Sequence, residues 1–175
     1  MSLDQLWAGW RSAYVSGAST EAARVLAGTA LPPCVFCTIL ESESVAPARQ
    51  VVHLGRHTAV VLNAFPYTSG HVLVLPRRHV GDLGALSEEE AADLWSEARR
   101  AVRAIESAYQ PDGINLGANL GKAAGAGIPD HLHLHALPRW QGDTNFMTTV
   151  AGTRVQPEEL DTTWQKLRAA WPGDT

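Results

Sequence analysis

Apolar positions recur along the chain at two spacings: three-to-four-residue steps that predict helices and two-residue steps that predict strands. Leu3, Leu6, Trp7, Trp10 and Tyr14 follow the first spacing, so residues 3–15 read as an amphipathic helix. A Gly-, Ala- and Pro-rich stretch runs on to Pro33 and reads as a connector with a short helix over residues 20–26. Strand patterns follow at 50–54 and 58–63, separated by the hairpin-like Gly55-Arg56-His57, and again at 70–76 in GHVLVLP. The longest helix is predicted over 87–109. Ser87 with Glu90 three positions later forms a capping box. Leu94, Trp95, Ala98, Val102, Ile105 and Tyr109 form its apolar stripe. Pro111-Asp112-Gly113 ends it. Two more strands, at 114–119 and 131–137, flank the glycine-rich GKAAGAGIPD, and a last helix at 157–171 carries Leu160, Trp164, Leu167 and Trp171 on one face. Strands before and after one long helix predict an α+β fold: an antiparallel sheet of about five strands, one long helix, and helices at the N- and C-terminal ends. The chain reads as a single domain, with residues 1–33 as helix and connector and 34–175 as the body.

Composition narrows the class. A length of 175 residues suits one domain, and 45% apolar with 18% charged residues is an ordinary globular balance. The net charge of −4 argues against a basic nucleic-acid platform, yet permits a small anionic ligand held by local donors. No apolar run approaches the ~20 residues of a membrane span. The start, MSLDQLWAGWRSAYV, has no basic segment followed by an apolar one, and two cysteines are too few for a disulfide framework. The expectation is a cytoplasmic protein without nucleic-acid or membrane partners.

The candidate chemistry lies in Asp130–Trp140, DHLHLHALPRW. On a strand, His131, His133 and His135 share one face while Leu132, Leu134 and Ala136 share the other. A metal-binding tract and three incidental histidines are the alternatives. The catalytic reading rests on neutral imidazole being a good nucleophile near pH 7, with neighbouring imidazoles as donors to phosphate oxygens or a leaving group. His133 is central. Where its Nδ1 donates to an acceptor, Nε2 is left free to attack. In the preceding segment, Gly121, Gly125 and Gly127 let backbone amides approach an anion, and Lys122 either adds charge or is a surface lysine. Arg77, Arg78 and Arg139 either attract phosphates or belong to a solvated face. His53 and His57 read as surface or strand histidines.

His131-Leu-His133-Leu-His135-Ala-Leu resembles the histidine triad (HIT) motif, and Asn63 and His71 in LNAFPYTSGHVLVLP resemble that family's upstream pattern. The resemblance covers residues 34–147 and implies the HIT-like fold, with 34–175 as its catalytic domain. It also implies roles: His133 as the nucleophile on an α-phosphate, His135 as a contact to phosphate and leaving group, His71 as an ordering residue, and Asn119 near the phosphates. Asn63 would bind the ribose, though a turn residue is the equal alternative, and Phe36 and Ile39 would form the wall for the base. The tail PRWQGDTNFM resembles family members that cleave diadenosine tetraphosphate, among them phosphorylases that pass the nucleotide to inorganic phosphate. Many family members carry Ser, Thr or Gln three or four residues before the first triad histidine. This chain has Gly127 and Ile128 there, which leaves a backbone amide for that role.

Cys34-Val-Phe-Cys37 has metal-ligand spacing, but two cysteines cannot complete a tetrahedral site. A redox pair and two buried thiols are the alternatives. The family resemblance implies His79 and His131 as the other ligands of a structural Zn²⁺. The expected activity is cleavage of a dinucleoside polyphosphate through nucleotidyl-His133, with Mg²⁺ an optional companion of the substrate. A phosphorylase ranks ahead of a hydrolase or an adenosine phosphoramidase, and a nucleotide-binding module with little turnover is the other class. The resemblance also implies a homodimer.

Overall fold

The computed structural model describes residues 34–41, 45, 50–143 and 158–173. The helices expected over 3–15 and 20–26, and residues 144–147 of the tail, lie outside the described residues. Helix α1 (Val35–Leu40) is followed by strands β1 (Val51–Leu54), β2 (Thr58–Leu62) and β3 (Val72–Pro76), helix α2 (Glu88–Tyr109), strands β4 (Gly113–Ala118) and β5 (Leu134–Arg139), and helix α3 (Leu160–Ala169). The strands form one antiparallel sheet in the order β1-β2-β3-β5-β4. This is the α+β plan of a five-stranded antiparallel sheet with three helices, one of them long.

Strand alternation sorts the sheet into two faces. Val60, Leu62, Val72, Val74, Leu134 and Ala136 pack with Leu94, Ala98, Ala101, Ala104 and Ile105 of α2, and Leu167 of α3 joins them. Val51, Ala59, Val61, Leu73 and Leu75 point the other way and meet Phe36 and Leu40 of α1. The single-face pattern of a half-exposed sheet is therefore replaced by strands buried throughout, as in β2 and β3.

Helix α2 starts where its sequence cap does. Ser87 Oγ accepts from Glu90 N at 3.1 Å, and Glu90 accepts from Ser87 N at 2.9 Å; such a cap contributes about 1 kcal/mol. Its apolar stripe is rotated from the expected one. Trp95 is 56% exposed and Val102 half-buried, while Ala101, Ala104 and the carboxylate of Glu97 face inward. Three small alanines let the helix lie close to the sheet, where a Trp95 indole would hold it off. Glu97 is kept there by Thr58, whose Oγ1 donates to it at 3.4 Å, and by Arg100 at 3.6 Å.

Boundaries differ where hydrogen bonds stop before the apolar pattern does. The last strand was expected from residue 131, but the ladder with β3 begins at Leu134 opposite Val74. His131 and His133 precede it, held instead by Leu132 N donating to Val80 O at 2.7 Å. A Cβ at Gly81 would lie 2.6 Å from Pro129 O, so the close passage of these two segments requires glycine. Helix α1 lies in a segment the periodicity left without an element. It has six residues, three of them β-branched, and no side-chain cap, so its stability comes from burying Phe36 and Leu40.

Candidate functional site

The histidines of interest meet on the α1 face of the sheet. Because Leu134 and Ala136 face α2, His133 and His135 project to the opposite side, toward the end of β3 where His71 stands. Ring centroids of His133 and His135 are 5.1 Å apart, and those of His71 and His135 are 5.2 Å apart. Phe36 closes the other end, 5.2 Å from His133 and 5.3 Å from His131. Ile39 is half-buried in the same α1 cluster. His71 is placed by its neighbour: Gly70 has φ +82°, and a Cβ there would lie 2.8 Å from the Tyr109 ring.

Hydrogen bonds assign the tautomers. The Nδ1–H of His133 donates to the carbonyl of His131 at 2.8 Å, so its Nε2 carries a lone pair. The amide of Tyr67 donates to His71 Nδ1 at 3.1 Å, which puts the His71 proton on Nε2. That proton goes to His135 Nδ1 at 3.0 Å, which puts the His135 proton on Nε2. His135 Nε2 is buried and meets no hydrogen-bond partner among the described residues. A buried donor left unmet costs about 1–3 kcal/mol, and an oxygen of a bound ligand relieves that cost. A lone pair on His133 and an N–H on His135 therefore belong to neighbouring rings, groups able to act as a nucleophile and as a donor to an anionic oxygen.

Burial lowers the His133 pKa against the opposing pull of the His131 carbonyl. His135 is lowered to about 4 by burial and then by His133. Unfolded histidine titrates near ~6.5, so between these values the unfolded chain binds the extra proton. The stability tied to neutral His135 is complete above pH 6.5 and is lost as pH falls toward 4. Denaturant midpoints are expected to fall across that window, with a shallower slope in His135→Gln. Identical slopes in the two proteins would contradict a neutral His135.

Asn63 follows β2 and makes a turn bond, its Oδ1 accepting from Phe65 N at 3.0 Å, while its Nδ2 lies 3.3 Å from His71 Nδ1. Asn119 directly follows β4 and is half-buried. Gly125, at φ +93°, and the exposed Gly127 lie on the loop leading into the triad, outside the ring-to-ring contacts of the histidines. The arginines are engaged elsewhere: Arg78 with Glu90, Arg139 with Asp143 and Asn115, and Arg77 with the Gly55 carbonyl. His57 pairs with Asp93 at 2.8 Å, and His53 stacks on Trp171. Tyr67 belongs to no motif in the sequence. Its position four residues before His71, in a turn-rich loop, was the available signal.

His131 turns away from this cluster. Its Nε2–H donates to the Pro76 carbonyl at 2.8 Å, which leaves Nδ1 facing Cys34 Sγ at 3.4 Å and Cys37 Sγ at 3.7 Å. His79 Nδ1 lies 3.3 Å from Cys37 Sγ. All four ligand atoms fall within 4.8 Å of one another. With Zn–S of ~2.3 Å and Zn–N of ~2.0–2.1 Å, a tetrahedral S···N edge is about 3.5 Å, so the spacing fits one small four-coordinate ion. The carbonyl behind His131 is the usual support of a ligating imidazole. Cys34, Cys37, His79 and His131 are able to hold a metal.

The profile of the HIT domain matches residues 43–142. An AP-4-A phosphorylase of Mycobacterium tuberculosis is 35% identical over 170 residues, covering 97% of this chain and 85% of that protein. An uncharacterized HIT-like protein of the same organism is 40% identical over 138 residues, 79% of this chain and 92% of its own. The crystal structure of a Zn-bound histidine triad family protein from Mycobacterium smegmatis superposes with a TM-score of 0.64 at 33% identity, over 79% of this chain and 92% of that one. From the order of its strands, its histidine-bearing sequence and these relatives, the chain belongs to the HIT family.

Proposed function

We propose that this protein is a dinucleoside polyphosphate phosphorylase acting through nucleotidyl-His133. The observation that carries the reading is the hydrogen-bond pattern that assigns the tautomers: His133 Nδ1 is committed to a carbonyl, which leaves a lone pair on its Nε2, while the neighbouring His135 ring holds a buried N–H with no partner among the described residues. Nε2 of His133 attacks the α-phosphorus. A P–N bond forms, the P–O bond to the remaining phosphate chain breaks, and that chain leaves as its own anion. His135 Nε2–H hydrogen-bonds the phosphoryl oxygens as charge shifts between them. An oxygen of inorganic phosphate then attacks phosphorus, breaks the P–N bond and restores His133. Phe36 and Ile39 flank the base, Asn63 contacts the ribose, and Asn119, Gly125 and Gly127 offer the phosphates polar and backbone groups. His71 is a positioning residue for His135. The AP-4-A phosphorylase relative supports diadenosine tetraphosphate as substrate.

Cys34, Cys37, His79 and His131 would hold a structural Zn²⁺, as the Zn-bound relative suggests. A closed four-ligand site supplies rigidity rather than a reactive water. A homodimer is favoured by the two sheet edges. On β1, Trp164 Nε1 and Arg168 donate to the carbonyls of Val51 and Val52, while β4 is largely exposed and presents Leu116.

The test is incubation with diadenosine tetraphosphate with and without phosphate. ADP plus ATP, formed only when phosphate is present, is the expected result. AMP plus ATP regardless of phosphate would make the protein a hydrolase, and nucleotide binding without cleavage would make it a binding module.

A further inference from the structure

Nucleobases stack on flat aromatic rings, and the histidine cluster has such rings at both of its ends, buried at one and exposed at the other. Phe36, 4% exposed, lies against His131 and His133. At the other end, the loop between β2 and β3 carries Phe65 and Tyr67, which are 84% and 48% exposed. A single exposed aromatic is ordinary on a protein surface. What distinguishes this pair is its place. The Tyr67 ring lies 4.6 Å from His71 and 5.9 Å from His135, within 13° of parallel to the latter. Phe65 is two residues away on a turn fixed by the Asn63 side chain at 3.0 Å, and Pro66 restricts the backbone between the two rings. An ordered turn thus holds an exposed phenyl ring two residues from the tyrosine that lies against His71 and His135.

A substrate with one base needs one base wall, and Phe36 with Ile39 provides it. We infer that Phe65 and Tyr67 form a stacking platform for a second nucleobase, so that they select dinucleoside over mononucleoside polyphosphates. The inference rests on the function proposed above and adds the part of the substrate beyond the phosphate chain. Stacking uses the π-face every base presents, so the platform tolerates either purine at the distal end.

The test compares two probes with equal numbers of phosphates, diadenosine tetraphosphate and adenosine 5′-tetraphosphate. Dissociation constants are measured by calorimetry in the His133→Ala background, to suppress turnover, and again after adding Phe65→Ala or Tyr67→Ala. The Tyr67 substitution keeps the backbone amide that binds His71. The one-base probe carries extra terminal charge, and comparing ratios between variants cancels it. The expected result is that the preference for the two-base probe falls about tenfold in each double variant, within the range for loss of one aromatic–base stack. An unchanged ratio overturns the inference, whether both affinities hold or both fall together, and so does a chain that binds neither probe. Turnover by the unsubstituted chain is read separately: a tenfold loss of preference in a protein that never cleaves either probe would sink the proposed activity and leave the platform standing.

Discussion

His133→Ala will reduce turnover of diadenosine tetraphosphate by about 10⁴-fold or more, while substrate affinity stays within about threefold. The substitution deletes the atom proposed to form the P–N bond, and neither His131 nor His71 beside it is placed to take its part. His131 Nε2 is bonded to the Pro76 carbonyl, and its Nδ1 faces the two thiols. His71 is engaged at both nitrogens, by the Tyr67 amide and by His135. Loss of a reacting group lowers kcat and kcat/KM together, whereas loss of a binding contact raises KM. His135→Ala removes one donor to the phosphoryl oxygens, and the expected loss is smaller, about 10²–10³-fold. Single-turnover kinetics on the two variants check the order. If His135→Ala were the more damaged protein, the assignments of nucleophile and donor would have to be exchanged.

Cys34→Ser will strip the chain of bound zinc and lower its melting temperature by about 8–16 °C. Zinc present at about a thousand times its dissociation constant contributes about 4 kcal/mol to the folded state, and each kcal/mol moves the midpoint of a domain this size by about 2–4 °C. The effect is expected to be large because, besides the packing of Phe36 and Leu40, α1 has no side-chain cap to hold it. It is six residues long, and Cys34 caps it without a side-chain hydrogen bond. Through Phe36 the same helix borders His133, so the variant is also expected to lose substrate affinity. Elemental analysis with thermal denaturation measures both effects. Equal metal content in the two proteins would remove the zinc site from the account, and full metal loss without a change in melting would remove its structural role.

The parts of the fold that could be read from the sequence are those set by local rules. The capping box at Ser87 and Glu90 depends on one turn of backbone and was visible in four residues. The alternation of histidines with Leu132, Leu134 and Ala136 put opposite faces of one segment to opposite uses, and the packing of Leu134 and Ala136 against α2 follows that division. Features decided by tertiary contact were less visible. The periodicity of α2 admits Trp95 on its inner face, but only the closeness of the sheet excludes it. Helix α1 is too short to leave a period, and depends on neighbours far along the chain. Within the site, the residue types pointed to phosphoryl chemistry, whereas the tautomers could not be read because their acceptors are backbone carbonyls of His131 and Pro76. The Tyr67 amide that sets His71 carries no side-chain signature at all.

A covalent nucleotidyl-His133 is the species on which the proposed chemistry depends. The protein would be mixed with diadenosine tetraphosphate in phosphate-free buffer, quenched at alkaline pH to preserve a P–N bond, and digested for mass spectrometry. One adenylyl group is expected on the peptide containing His133, located to that imidazole by fragmentation and discharged as ADP when phosphate is added before the quench. Steady turnover with no adduct at any quench time, or an adenylyl group on a different residue, would contradict that chemistry.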